Sequence, residues 1–467
     1  MTSLDVQSAA VVDDRDDHLD DDYALNPAFV EKVVDAADRG DGLHLRELLE
    51  DLHPADVADL MGFLTSEHRA MVVLWLPPDV LAETLPELDD GIREEVLERV
   101  PAGRLAEALQ ELDSDDAAAV VEDLEDDQRR IVLDAMPEQE RAAIESSLSY
   151  GEETAGRLMQ REVMAAPQFW NVGDTIDHLR QQGEDLPELF FDIYVIDPGY
   201  RPVGAVPVSR LLRSRRDVAL TDIMEAVTEI DVDLDQEEVA YAFEKYHLIS
   251  APVVDPGGRL VGQITVDDIV NIIQEENRED ILALAGVSDQ GRDANVLSVV
   301  RSRAPWLLVN LFTALLAASV ISLFEDQIAT LVALAVLMPI VASMGGNAGT
   351  QALAVAVRSL AMRELNRNNA TRIVMREVMV GILNGTGFAV LLGIVVGFWF
   401  GVPMLAVVIG MAMIVNLTLA ALAGVLVPLT LDRFGRDPAV ASPVFVTTVT
   451  DVFGFFTFLG LATLILL

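Results

Sequence analysis

The stretch Asp437-Pro-Ala-Val-Ala-Ser-Pro443-Val-Phe-Val-Thr447-Thr448-Val-Thr-Asp451-Val-Phe-Gly454-Phe455 places a carboxylate inside an apolar run that continues to residue 467. Such a run exceeds the ~20 residues that cross a bilayer as a helix. At 1.5 Å per residue Asp451 lies about 12 Å beyond Pro443. A carboxylate at that depth costs at least ~2.5–3.5 kcal/mol on insertion scales, so it needs a compensating partner. Thr447 and Thr448 stand one turn before it on the same helix face, and Gly454 about one turn after. That face presents oxygens beside a thin wall, as a hydrated cation path requires.

Working outward, four more apolar runs occupy residues 304–324, 328–357, 377–400 and 404–431, which makes five predicted spans. Arg301 and Arg303 precede the first; Arg358, Arg363, Arg367, Arg372 and Arg376 flank the loop after the second; Arg433 and Arg436 follow the fourth. The two intervening loops hold no basic residue. Basic loops stay in the cytoplasm, so this pattern predicts a multi-pass plasma-membrane protein with its N-terminal domains cytoplasmic and its C-terminus outside. The second run is expected to be broken at Pro339 and at Gly345-Gly346-Asn347-Ala-Gly349, a break tolerated where backbone is buried in protein or lines a wet cavity. Gly346 then lets carbonyl oxygens approach an ion and Asn347 adds a neutral oxygen, although close helix packing uses such glycines equally well. Asn384 and Asn416 suit hydrogen bonds between helices, and Glu377 suits pairing with Arg372 or Arg376.

No His or Cys follows residue 300, so this half offers only oxygen ligands. That favours a hard cation, Mg²⁺ first, with Ca²⁺ and Mn²⁺ open, over Zn²⁺ or Cu⁺. One carboxylate per chain suits a Mg²⁺ ion that keeps most of its water, and a symmetric homodimer would double it.

Seven acids and nine arginines give residues 300–467 a charge of +2, so residues 1–299 carry −46 of the total −44. A domain this acidic repels nucleic acid and attracts cations. A solvated surface suited to a salty cytoplasm is the alternative source of the charge, since Lys32 and Lys245 are the only lysines. The absence of Cys excludes disulfides and thiolate metal sites. The N-terminus has neither the basic flank nor the apolar core of a signal peptide, and residues 1–26 are expected to form an acidic disordered tail.

Between residues 27 and 150, helix-start signals recur about every twelve residues, near Pro54, Ser66, Pro78, Asp90, Ala102, Ser114, Asp126 and Glu138. Pro fits the first helical turn and Ser or Asp caps it. Each short helix has one apolar stripe, so the array predicts an α-helical solenoid. Between 151 and 265, Ile193-Tyr-Val-Ile-Asp-Pro-Gly-Tyr-Arg-Pro-Val-Gly204 returns as Ala251-Pro-Val-Val-Asp-Pro-Gly-Gly-Arg-Leu-Val-Gly262. Each copy predicts strand, turn, strand, helix, and the pair resembles a tandem CBS (cystathionine-β-synthase-type) α/β module. An amphipathic helix over 266–286 and a polar linker to residue 300 then lead to the membrane half.

The string Pro339-x₅-Gly-Gly-Asn-Ala-Gly-Thr-Gln351, the series Asn416-x₃-Ala420-x₃-Gly424-x₃-Pro428 and the Asp437–Phe455 stretch resemble the MgtE magnesium channels and transporters. The order of helical domain, CBS pair, connecting helix and five-helix transmembrane domain is similar too. The resemblance implies a homodimer with a central pore in which Asp451 holds hydrated Mg²⁺ and Asn347 lies at the same constriction. It further implies a Mg²⁺ sensor at Glu83, Asp115, Glu237, Asp268, Glu276, Glu279 and Asp280. His247 and Asn271 stand where that sensor would carry acids. Thr265-x-x-Asp268 resembles the pattern with which CBS domains hold a nucleotide ribose, so ATP competes with Mg²⁺ for Asp268. Rival functions are transport of Mn²⁺ or Ca²⁺, and a membrane-anchored CBS sensor that conducts nothing. No nucleophile–base pair, phosphate loop or zinc motif suggests an enzyme.

Overall fold

A computed structural model describes residues 18–19, 24–50, 52–181, 186, 189–287, 296–365 and 369–466. Most of the predicted acidic tail and nearly all of the linker after residue 287 lie outside these residues. The chain divides into two compact units, one ending at Ile273 and the other beginning at Gln274.

The first unit opens with short helices: α1 (Pro27–Asp38), α2 (Gly42–Leu49), α3 (Pro54–Phe63), α4 (Ser66–Trp75), α5 (Pro78–Glu87), α6 (Asp90–Arg99), α7 (Ala102–Leu109), α8 (Ser114–Glu122), α9 (Asp126–Ala135) and α10 (Glu138–Ser147). The local chemistry explains the starts. Asn26, Asp41, His53 and Thr65 accept a backbone N–H at the head of α1 to α4. Pro27, Pro54 and Pro78 occupy first-turn positions, where a missing N–H costs nothing. One apolar core runs the whole length from Leu25 to Ile144. Helices this short leave many carbonyls without a partner, and arginines supply the donors. Arg69 donates to Met61 O at 2.8 Å, Arg104 to Leu74 O at 2.9 Å, and Arg129 to the carbonyls of Val121, Glu122 and Leu124.

Two α/β repeats follow. The first comprises α11 (Ala155–Leu158), β1 (Ala165–Pro167), α12 (Val172–Gln181), β2 (Asp192–Ile196), β3 (Pro202–Pro207) and α13 (Val208–Arg213). The second comprises α14 (Leu220–Ile223), β4 (Ile230–Asp231), α15 (Gln236–Tyr246), β5 (Ser250–Val254), β6 (Leu260–Thr265) and α16 (Val266–Leu284). Both sheets have the order edge, centre, edge, with one parallel and one antiparallel pairing. The repeated turns work identically: the Asp197 carboxylate accepts from Gly199 and Arg201 N–H, and that of Asp255 from Gly257 and Arg259 N–H. Tyr194 Oη donates to Ser250 Oγ at 2.9 Å, and Ser250 Oγ donates to Asp192 at 2.8 Å, so buried polar groups stitch the central strands of the two sheets together.

The second unit contains the end of α16, then α17 (Val296–Ser322), α18 (Glu325–Thr330), α19 (Ala333–Ala361), α20 (Ala370–Phe400), α21 (Pro403–Arg433) and α22 (Pro438–Ile465). Among the described residues five helices are long and apolar enough to cross a membrane. α21 is the most enclosed of them, and Leu405, Ile409, Met413 and Leu417 pack with Val341 of α19 and Phe458 of α22. The expected break in the second span does not occur. Residues 325–330 form the separate helix α18, and α19 then runs unbroken through Pro339 and all three glycines. Pro339 removes one N–H in the second turn, a loss that surrounding helices absorb. The glycines serve close approach instead: a Cβ on Gly424 of α21 would sit 2.6 Å from the carbonyl oxygen of Gly349.

Arg69 is 7% exposed and pairs with Glu95 at 2.6 Å. Arg69→Met removes the buried guanidinium, its bond to the Met61 carbonyl and its pairing with the half-buried Glu95, which is left with Arg99 at 3.2 Å and the Ser66 hydroxyl. We expect the helical domain to lose roughly 3 kcal/mol of stability, seen as a lower urea midpoint, whereas Arg130→Ala, at an exposed pair, should leave it unchanged.

Candidate functional sites: two acidic clusters and an intramembrane carboxylate

In the first unit, short-range bonds bring two helix starts together. The Ser114 backbone N–H and hydroxyl both donate to the Glu162 carboxylate, at 3.2 and 2.8 Å, and the Arg161 N–H donates to Ser114 Oγ at 2.8 Å. Arg157 reaches Glu122 at 3.2 Å. These bonds pin α8 to the segment before β1. That segment pairs in turn with β6, where Gln160 and Gln263 exchange backbone bonds at 2.9 Å and a side-chain bond at 2.6 Å. β6 runs directly into α16. The first turn of α8, with Asp115 and Asp116, is thereby set against the first turn of α16, with Asp267 and Asp268.

The result is crowding of like charge. The Asp268 carboxyl is pushed up to about 7 by burial, then by Asp267 and Asp116, against the Thr265 hydroxyl that donates to it at 3.0 Å. Asp116 is pushed up to about 6 by burial, then by Asp113, Glu87 and Asp267, with Arg93 in opposition. Asp115 is raised well above the usual carboxylate range by burial, then by Asp268 and Asp116. Among the described residues no three acidic or imidazole side chains close into a ready-made cage for an ion.

The structure sorts the predicted sensor residues. Asp115 and Asp268 meet. Glu83 lies exposed on α5, and it is Glu87, one turn later, that acts on Asp116. Glu237 lies exposed in the first turn of α15, its N–H bonded to Asp235 at 3.0 Å. Asp113, Asp116, Asp267 and Glu87 were not predicted; the doubling of acids at two helix starts, Asp115-Asp116 and Asp267-Asp268, was the available signal.

A second concentration of acid lies in the second unit. Asp280, on the same long helix as Glu276 and Glu279, has its carboxyl raised by burial and then by Asp437. Asp437 caps α22, accepting the Ala439 N–H at 2.7 Å. Ala283 and Leu284, one turn beyond Asp280, pack against an apolar group that includes Leu353 and Val357 of α19 and Ala439 and Val446 of α22. Glu377 pairs with Arg376 at 3.1 Å and, with Gln351 and Asn384, lines a cavity of about 150 Å³ among α19, α20 and α21.

Within the membrane span of α22, Asp451 is partly buried. The threonine hydroxyls near it in sequence are engaged elsewhere. Thr447 donates to Pro443 O at 2.9 Å, Thr448 to Val444 O at 2.7 Å and Thr450 to Thr447 O at 3.0 Å. Among the described residues no donor or cation pairs with the Asp451 carboxylate. On α19, Asn347 is exposed on a face shared with Ser343 and Thr350. The Gly346 carbonyl stays inside the helix, where it accepts the Thr350 hydroxyl at 3.1 Å, and does not turn outward as a broken span would allow. The helices carrying Asn347 and Asp451 touch directly, since a Cβ on Gly349 would meet Val446 of α22 at 2.6 Å.

The raised carboxyls have a definite consequence for pH. The folded cluster holds protons that the unfolded chain, near pKa 3.9, has released, so its stability is greatest below that value and falls as pH rises toward about 7. A divalent cation replaces those protons. Adding Mg²⁺ to the full-length protein in detergent should release protons maximally between about pH 6 and 7 and hardly at all at pH 8.5, measured by calorimetry in buffers of different ionisation heat. Release independent of pH, or abolished by none of Asp115→Asn, Asp116→Asn and Asp268→Asn, would contradict this assignment.

Residues 338–461 match the family described as MgtE, divalent cation transporter; residues 52–153 match the MgtE intracellular N domain, and residues 220–275 the CBS domain. The magnesium transporter MgtE of Bacillus subtilis is 32% identical over 420 residues, covering 90% of this chain and 93% of its own. That of Thermus thermophilus is 33% identical over 443 residues, covering 93% and 98%. A solved cytosolic domain of the Mg²⁺ channel MgtE in complex with ATP is 34% identical, with 52% of this chain and 99% of that one covered and a TM-score of 0.49. With a helical N domain, a CBS pair and five candidate transmembrane helices in this order, the chain belongs to the MgtE family of magnesium transporters.

Proposed function

We propose that this protein is a homodimeric Mg²⁺ channel of the plasma membrane, closed by Mg²⁺ binding to its acidic cytoplasmic domains. One observation carries the conduction reading: Asp451 lies within a membrane span, and no protein donor or cation of the described residues compensates it. A hydrated Mg²⁺ supplies that charge. Mg²⁺ dehydrates reluctantly and is commonly bound by one or two carboxylates through its water, so one Asp451 from each of two chains is an adequate site. Asn347, Thr447 and Thr448 offer further oxygens to the hydration shell; Gly346 contributes small size next to Asn347. The arginine distribution supports an arrangement with the N-terminal unit in the cytoplasm and the C-terminus outside.

The sensor consists of the two acidic clusters. Asp115 and Asp268, with Asp116, Asp267 and Glu87, form one; Asp280, with Asp437 and the neighbouring Glu276 and Glu279, forms the other. Glu83, one turn before Glu87 on α5, and Glu237, in the first turn of α15, are further ligands in this reading. With Mg²⁺ scarce, each facing carboxylate pair at ~6 Å and an effective dielectric of ~20 repels by roughly 3 kcal/mol. Two such pairs exceed the ~5.5 kcal/mol that takes a gate from 1:99 to 99:1. Mg²⁺ reverses the sign. Because the end of α16 packs on the helices that carry Asn347 and Asp451, a change in the Asp280–Asp437 interaction acts on the path directly. All-oxygen, all-acidic donor sets suit Mg²⁺ held through water, which the absence of a closed cage does not oppose. ATP is proposed as a second ligand of the CBS pair at Thr265 and Asp268, competing with Mg²⁺ for the latter.

Proteoliposomes test both parts. Wild type should take up Mg²⁺ and be inhibited by internal Mg²⁺, Asp451→Ala should lose uptake by at least about 100-fold, and Glu276→Gln/Glu279→Gln/Asp280→Asn should conduct yet resist inhibition. Equal uptake by Asp451→Ala would overturn the conduction reading; preference for Mn²⁺ or Ca²⁺ in competition would reassign the ion.

A further inference from the structure

Asn416 is fully buried at the middle of α21, the most enclosed helix of the membrane unit. Its Nδ2 donates to the Val341 carbonyl of α19 at 2.8 Å, while its Oδ1 is buried with no partner among the described residues. A covered amide that satisfies only one of its groups costs stability, and an apolar residue of similar shape would cost less. Two pore-side helices nevertheless make room for it. A Cβ on Gly345 of α19 would overlap Asn416 Nδ2, and a Cβ on Gly454 of α22 would come within 2.8 Å of Asn416 Oδ1. The side chain therefore sits in a notch formed by glycines on two different helices.

The position of the notch matters. Gly345 precedes Asn347 by two residues and Gly454 follows Asp451 by three, about 3 and 4.5 Å along the respective helix axes. Asn347 is exposed and Asp451 partly so, whereas both glycines are buried. At about 100° per residue Gly345 lies on the side of α19 away from Asn347, and Gly454 lies about 60° around α22 from Asp451, on the same face. Asn416 thus holds α19 from behind Asn347 and α22 from beside Asp451, one turn along the same face.

Resting on the conduction reading above, we propose that Asn416 is a positioning residue for ion passage. Its amide fixes the height and rotation of α19 relative to α22, and so the spacing of the Asn347 and Asp451 oxygens that discriminates Mg²⁺ from larger divalent cations. It touches no ion. The unpaired Oδ1 is the stability given up for that placement, and the bond to Val341 is the contact that sets it.

The test uses Asn416→Leu, which keeps the volume and removes both polar groups, and the pair Asn416→Ala/Gly454→Ala, in which the added methyl group refills the notch. Each is reconstituted at full length, with thermal midpoint, Mg²⁺ uptake and the Mg²⁺:Ca²⁺ uptake ratio measured beside wild type and Asp451→Ala. We expect midpoints at or above the wild-type value, uptake reduced roughly tenfold or more, as small misplacements of reacting groups produce, and a Mg²⁺:Ca²⁺ ratio moved toward one. Gly454→Ala alone should be impaired in both fold and flux, with the second substitution restoring the fold only. Wild-type uptake and ion ratio in either Asn416 variant overturns the proposal. If wild type conducts, Asp451→Ala does not, and the Asn416 variants match wild type, only this inference fails; if Asp451→Ala conducts normally, the reading beneath it fails.

Discussion

Carboxylates brought close together away from bulk water need a positive charge among them, and this chain creates that need at both ends of one helix. At the start of α16, Asp267 and Asp268 meet Asp115 and Asp116; near its end, Asp280 meets Asp437. Among the described residues Arg93 opposes the charge on Asp116 while itself paired to Asp90 and Asp123, and the Thr265 hydroxyl donates to Asp268. What remains is a set of acids whose protonation or occupancy by a cation decides whether neighbouring helices attract or repel. The rest of the sequence can be understood as placing these acids and connecting them to a path.

The same deficit recurs inside the membrane. Asp451 is an anion within an apolar span whose local hydroxyls are committed to backbone carbonyls. The proposed sensor and path thus share one chemistry, oxygen ligands without nitrogen or sulfur, and one class of hard, hydrated cation would satisfy both. The small residues of α19, α21 and α22 bring their backbones close, which gives the path stiff walls. Asn416, the one buried amide among their described residues, is a polar group where apolar packing alone would be cheaper.

Much of this was legible in sequence because it depends on local chemistry. Pro54, Pro78, Ser66 and Ser114 start helices for reasons that reside in the residue itself, and all four do so. The Asp-Pro-Gly turns carry their own hydrogen bonds, so both repeats could be read from their strings. Long apolar runs give spans regardless of tertiary context. The misread features depend on neighbours. Pro339 and Gly345-Gly-Asn-Ala-Gly349 suggested a broken helix because, in isolation, those residues break helices; packing against α21 and α22 keeps α19 whole. Glu87, one turn after Glu83 on α5, was not singled out in sequence, because which face of a short helix meets α8 is a tertiary property. Asp437 caps α22, and its place beside Asp280 required knowing where α16 ends.

The account stands on one claim: a divalent cation relieves the charge crowding at both ends of α16. Amide hydrogen exchange of the full-length protein across a Mg²⁺ titration measures this most directly. The account predicts that the first turns of α8 and α16, and the segments around Asp280 and Asp437, gain protection over one range of Mg²⁺ concentration, and that matched ionic strength from a monovalent salt does not reproduce it. Unchanged exchange at both places, or equal protection by the monovalent salt, would contradict it.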